Sequence, residues 1–200
     1  MEKEAIQNKE KNFVSCVLYL HNDGKNIREF LKTVCGTMEQ NFEKYEIVCV
    51  NDCCMDDTIE EIHRYLEESN TRHVVSLINL SFYQGVEMAM NAGRDLAVGD
   101  FLFEFDRCLL DFEPSLIMDI YHKALEGYDV VAAAPKRNVA FTSRLFYAVY
   151  NLGSRNTHKL RQERFRIISR RAVNRVNQMN AYIPYSKATS MNSGLRLETI

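Results

Sequence analysis

The sequence predicts an α/β protein with a mostly parallel sheet and helices on both faces. Three observations carry this reading. Five short runs are almost continuous in apolar residues: FVSCVLYL (13–20), YEIVCV (45–50), HVVSLINL (73–80), FLFEF (101–105) and DVVAAA (129–134). A stretch with apolar residues at helical spacing follows each of the first four, and that alternation builds parallel sheets buried on both sides. The runs also end in polar turn residues, as strands do at the carboxyl edge of such a sheet.

Phe13 to Leu20 is a β-rich run stopped by the turn-like His21-Asn22-Asp23-Gly24. Asn26 stands where an N-cap would start a helix running to about Gln40, with Ile27, Phe30, Leu31, Val34 and Met38 on its inward face. Tyr45 to Val50 forms the second strand and stops at Asn51-Asp52. Asp56 or Asp57 then caps a helix from Thr58 to about Glu68 that turns Ile59, Ile62, Tyr65 and Leu66 inward. His73 to Leu80 is the third strand. The helix from Gln84 to Ala97 carries Val86, Met90, Gly93 and Leu96 along one stripe, and Gly99 closes it. In the fourth strand Phe101, Leu102, Phe103 and Phe105 run into Asp106, a carboxylate that is costly at the end of a buried strand unless solvent, a cation or a donor receives it. Pro114 starts a helix over Ser115 to Glu126, Gly127 stops it, and Asp129 to Ala134 is the fifth strand. Beyond Pro135, Ser143 to about Gly153 has an amphipathic helical pattern and Phe165 to Ile168 reads as a short strand. Ser169 caps a helix over Arg170 to Gln178. Leu195 to Ile200 reads as a strand begun just as the chain stops, as in a shortened chain.

At 200 residues, 46% hydrophobic and 26% charged, the composition is that of an ordinary globular domain large enough for a full core. No apolar run approaches the roughly 18 residues of a membrane-spanning helix, and the polar start MEKEAIQNKEKN resembles neither a signal peptide nor an anchor. The six cysteines lack paired CxxC spacing, which reads as reduced thiols of a cytoplasmic protein rather than a zinc site or disulfide framework. Eleven Lys or Arg lie between Lys136 and Arg175 against a single acid, Glu163, whereas the net charge of the whole chain is -2. Such a block is either a solvated face or a surface suited to phosphates or an anionic membrane.

Right-handed crossovers bring the ends of the first, second and fourth strands to one edge, where open α/β sheets bind ligands. That edge gathers Asn22 and Asp23, Asn51 and Asp52, and Asp106. Carboxylates there suit a nucleotide, one accepting from a base or ribose and another meeting a metal on a diphosphate. The same residue types are ordinary turn and cap formers, and both readings stand on the residues alone.

Order and spacing carry a resemblance. CVLYLHNDGKNI resembles the first strand and turn "VVVPVYNEEENI" of family 2 glycosyltransferases, keeping Asn22, Asn26 and Ile27. VNDCCMDDT resembles that family's "VDDGSTDGT", keeping Asp52, Asp56 and Thr58. GVEMAMNAGRDLAVGDFLFEFDRCLLDFEP follows "GxxxAxxxGxxxAxGDxxxxxDADLQDPPE", Glu126 to Val131 reads EGYDVV, and RFRIISRRAVNRV resembles "DFRLLSRRVVDAL". The similarity runs from about Val14 to Ile200, with the branch that includes dolichol-phosphate mannose synthase and bacterial polyprenyl-phosphate sugar transferases.

This resemblance implies a GT-A (Rossmann-like) fold and transfer of a sugar from a nucleotide-diphosphate sugar, with Mg²⁺ or Mn²⁺, to a lipid-phosphate or polysaccharide acceptor in cell-surface glycan synthesis. Residues 1–12 become a flexible lead-in, 13–137 a nucleotide-sugar-binding half, and 138–200 a basic acceptor-side half that is cut short. Asp23 and Asp52 would hold the nucleoside, with Leu20 and His21 offering backbone contacts. Asp106 would be the first carboxylate of the DxD motif and the metal ligand. Glu163 would be the catalytic base, or else a surface acid paired with its arginines. Arg164 and Arg166 would bind the diphosphate or a lipid phosphate; Arg170 and Arg171 would join them or merely solvate a helix. The implied location is cytoplasmic, at the inner face of the membrane if the basic segment makes peripheral contact, and a homodimer is compatible with it.

The chain departs from the pattern at several points. Cys108 replaces the second acid of DxD, with Glu104 and Asp111 as nearby substitutes; Cys53-Cys54 replaces Gly-Ser, and Phe82-Tyr83 replaces Arg-Asn. An active transferase and a degenerate member that binds nucleotide sugar weakly or serves as a partner subunit therefore both remain. HNDGKN lacks the glycines of a dinucleotide fingerprint, and no nucleic-acid motif accompanies the basic block.

Overall fold

The computed structural model describes residues 8–134, 163–178 and 194–200. The amphipathic pattern at 143–153, most of the basic block and most of the lead-in lie outside the described residues. Seven strands form one sheet: β1 (Val14–Leu20), β2 (Tyr45–Asn51), β3 (Val75–Asn79), β4 (Phe101–Phe105), β5 (Val130–Ala133), β6 (Phe165–Ser169) and β7 (Leu197–Thr199). Among the described residues five helices accompany them: α1 (Ile27–Asn41), α2 (Thr58–Glu68), α3 (Val86–Leu96), α4 (Ser115–Leu125) and α5 (Arg170–Gln178). The strand order is β3-β2-β1-β4-β6-β5-β7. All pairs are parallel except those of β6, which runs antiparallel to both β4 and β5. The chain after β5 therefore turns back and inserts β6 between two strands already made.

The near-continuous apolar strands are buried on both faces because a helix layer covers each. On one side Ile27, Phe30 and Met38 of α1, Ile62 and Tyr65 of α2, and Ile117, Ile120 and Tyr121 of α4 pack on Cys16, Leu18, Phe103 and Phe105. Ala89 and Met90 of α3 and Ala172 and Val173 of α5 cover the other side, on Val17, Val50, Leu102 and Ile168. Alternate residues of β4 thus point to opposite layers, which places Glu104 on the side of Leu102, facing α3 and α5.

Three helix starts were expected to be side-chain capped, and they differ. Asn26 makes no capping bond; the N–H groups of Asn26 and Ile27 instead reach the Asp23 carbonyl at 2.8 and 2.9 Å. At α2 the capping oxygen is Asp56 Oδ1, 3.1 Å from the Thr58 N–H, and not Asp57. Ser169 does cap α5, its hydroxyl accepting from the Ala172 N–H at 3.2 Å.

Gly93 explains how α3 lies so close to the sheet. A Cβ added there would stand 2.3 Å from Val17 Cγ1 and 3.0 Å from Val50 Cγ2. Gly93→Val should destabilise the fold by about 3 kcal/mol through overpacking, more than any gain in helix propensity returns. Urea denaturation would show this as a lower midpoint with an unchanged slope.

Candidate active site

The ends of β1, β2 and β4 meet because β1 lies between the other two. After Leu20 the chain turns sharply through Asn22, whose φ of 61° is left-handed, a conformation that asparagine tolerates. His21 Nδ1 donates to the Asp52 carbonyl at 2.7 Å, which fixes the proton on that nitrogen. The His21 N–H donates to Asp23 Oδ2 at 2.9 Å. Burial raises the Asp23 pKa, with the His21 N–H opposing the shift.

Asp52 is wholly buried. Its Oδ1 accepts from the Gln84 N–H at 2.7 Å, and its Oδ2 from the Gly85 N–H at 2.8 Å and the Tyr19 hydroxyl at 3.1 Å. The second of the two turn carboxylates is thus a brace between β2 and the start of α3. Tyr19 and Tyr83 join the same edge: the Tyr83 ring lies 4.8 Å from His21, and Phe82 and Tyr83 are 65% and 59% exposed. Aromatic rings therefore stand where the family pattern has a cation and an amide.

Asp106, half-buried, lines a cleft with Glu87 and Arg94 of α3, Glu104 of β4, and Glu163 and Arg166. Residues far apart in the chain meet here because antiparallel β6 begins beside the end of β4, with Arg166 directly opposite Glu104. Glu104 is almost fully buried; one oxygen takes the Arg94 guanidinium and the other the Arg166 Nε at 2.7 Å. Burial alone would raise its pKa, but the two guanidiniums outweigh that and hold the carboxyl below its usual range. Glu104 is therefore committed to the interior and does not replace the second acid of DxD.

Cys108, in that second position, is fully buried, and its thiol donates to the Tyr19 carbonyl at 3.6 Å. Burial, reinforced by the Asp23 charge, raises its pKa well above the usual thiol value, so it is a neutral thiol and no ligand for a hard cation. Arg164 lies outside this cleft; its Nη1 is 2.8 Å from Asp111 Oδ1, and Arg107 approaches Asp111 at 3.9 Å. Arg170 and Arg171 stand at the opposite edge of the sheet, where Arg170 holds the Ala97 and Gly99 carbonyls and Arg171 pairs with Asp129. They serve the scaffold, not a diphosphate. All six cysteines are free thiols. Sequence reading missed Tyr19, Arg94 and the Gln84 and Gly85 amides, since their partners lie across the sheet and no local pattern marks them.

Comparison with known proteins follows the same lines. The family model described as glycosyl transferase family 2 matches residues 15–182. An uncharacterised glycosyltransferase of Synechocystis is 29% identical over 174 residues, 83% of this chain and 53% of the relative. An undecaprenyl-phosphate 4-deoxy-4-formamido-L-arabinose transferase of Pseudomonas syringae is 30% identical over 119 residues, 60% of this chain and 36% of the relative. The chain thus spans about half, or less, of these relatives. Among solved structures, a mannosyltransferase from Pyrobaculum calidifontis in complex with GDP-Man and Mn²⁺ superposes with a TM-score of 0.71 at 17% identity, over 96% of this chain and 55% of that one. Glucosyl-3-phosphoglycerate synthase from Mycobacterium tuberculosis, with Mn²⁺, UDP and phosphoglyceric acid, gives 0.64 at 12%, over 94% and 68%. The sheet and its helices are those of the GT-A fold.

Two outcomes test this edge. Glu104→Gln should cost about 4 kcal/mol, because it removes the buried carboxylate that both guanidiniums bind. The stabilisation from ionised Glu104 is complete above its ordinary value of 4.5 and is lost as pH falls through the lowered one. Urea midpoints of wild type and variant should therefore converge on acidification below that value. Cys53 has a φ of 56°, the left-handed region that costs a non-glycine residue about 1 kcal/mol. Cys53→Gly should raise the thermal midpoint by a few degrees.

Proposed function

We propose, on the premise that this chain belongs to glycosyl transferase family 2, that it transfers a sugar from a nucleoside-diphosphate sugar to a lipid-phosphate or glycan acceptor. The observation that carries the reading is the cleft itself, where Asp106, Glu163 and Arg166 converge beside the edge that holds His21, Asp23 and Asp52. In this reading the nucleoside lies along Leu20, His21 and Asp23, with Asp52 fixing the wall behind it. Glu163 takes the proton of the acceptor hydroxyl or phosphate. Arg166 faces phosphate oxygens, and its own position is set by Glu104.

Asp106 is the residue that would hold a divalent cation, Mg²⁺ or Mn²⁺. Hard cations of this kind are often bound by one or two carboxylates plus substrate phosphates, so a single carboxylate fits. Neither Cys108 nor Asp111 adds a second, the one being a buried thiol and the other ion-paired. When bound, the cation supplies Lewis-acid stabilisation of the leaving diphosphate. Relatives that act on undecaprenyl phosphate support the lipid-phosphate acceptor, and GDP-Man with Mn²⁺ in a structural neighbour supports the donor class. No helix among the described residues is long and apolar enough to cross a membrane. The basic block between Lys136 and Arg175 would give peripheral contact with the inner, cytoplasmic face.

The neutral thiol of Cys108 favours a second reading, a weak nucleotide-sugar binder or partner subunit with the transferase fold. Calorimetric titration with UDP and GDP, each with and without Mn²⁺, separates the two. The transferase reading expects binding on the order of micromolar that requires the metal and is lost in Asp106→Ala. Absence of binding under every condition would replace it with the second reading.

A further inference from the structure

A second cleft opens on the α4 side of the sheet, lined by Leu110, Asp111, Phe112, Glu113 and Leu116, with Ala134 and Arg164. Arg164 is its notable feature. The side chain is only 9% exposed, its Nε has no hydrogen-bond partner among the described residues, and its Nη1 lies near Asp111 without hydrogen-bond alignment. A buried donor without an acceptor is expensive, on the order of 1–3 kcal/mol, and this one belongs to a cation. The walls around it are firm: the Phe112 ring packs tilted against Phe165 at 4.5 Å, and α4 carries Leu116.

Charge decides what could fill the cleft. Against Arg164 stand Asp111 and Glu113, and the nearby Arg107 only restores neutrality through Asp111. With no positive excess, an oxyanion would face two carboxylates. A neutral ligand with several hydroxyls meets no such repulsion: its oxygens accept from Arg164, its O–H groups donate to Asp111 and Glu113, and its apolar face lies on Leu110, Phe112 and Leu116. We propose that this cleft is a binding site for a neutral sugar ring, separate from the cleft of Asp106. The proposal does not rest on the transferase reading.

The test is saturation-transfer NMR on the full chain with D-glucose, D-mannose and N-acetyl-D-glucosamine, alongside inorganic phosphate and glucose 6-phosphate followed by calorimetry. At least one neutral sugar should bind, at millimolar strength. Arg164→Met should weaken that binding at least tenfold. Ala134→Leu, which fills the cleft and keeps the ion pair, should do the same, so the test survives if the arginine variant fails to fold. Saturating GDP or UDP with Mn²⁺, or Asp106→Ala, should leave the sugar signal unchanged, whatever becomes of the donor reading. No transfer to any neutral sugar, tighter binding of the phosphate compounds, or a signal that survives Ala134→Leu would overturn the proposal.

Discussion

Two guanidiniums meeting one carboxylate inside the protein set the terms for the rest of the structure. Glu104 lies on β4, Arg94 on α3 and Arg166 on β6, so a helix and two strands are bound to one another through charges that cannot be left unpaired. Because Arg166 sits directly opposite Glu104, the pair also fixes the register of the one strand that runs against the others. Slipping β6 by a residue would send Arg166 to the layer of Phe105 and Phe165 and bring a hydrophobe to Glu104. Asp106 lies two residues beyond Glu104, and Glu163 three before Arg166, so the same pair governs how the two face each other across the cleft.

Much of the architecture was readable in advance. The strands showed as apolar runs because a helix layer covers each face, and the order of the first five elements followed from alternation and handedness. The meeting of Asp23, Asp52 and Asp106 at one edge was readable for the same reason. What could not be read was pairing at long range. Nothing near Arg94 announces Glu104, and nothing near Asp52 announces the amides of Gln84 and Gly85. Arg164 and Arg166, two residues apart in one basic run, looked equivalent; one faces Asp111 and the other Glu104. Likewise Arg170 and Arg171 read either as anion binders or as a solvated helix face, and the direction of β6 carries them to the far edge, where they hold carbonyls and Asp129.

The departures from the family pattern share a physical direction. Where the pattern has an acid, Cys108 is a buried thiol; where it has a cation and an amide, Phe82 and Tyr83 stand exposed, with Tyr83 beside His21; where it has glycine, Cys53 is held with a positive φ. Each change lowers the polarity or the freedom of a loop at the carboxyl edge. None disturbs the sheet beneath, whose packing rests on Gly93, the two apolar layers and the buried ion pairs. The departures thus lie at the edge and leave the packing of the scaffold intact.

The position of Asp52 has an electrostatic consequence for any phosphate that approaches this edge. The leading end of a helix carries a partial positive charge and a set of amides that commonly cradle anions. At α3 two amides just ahead of the first turn are already taken by an internal carboxylate, so the protein has supplied its own anion to that pole. A guest phosphate finds the helix dipole quenched there, and its compensation has to come from guanidinium groups or a cation that arrives with it.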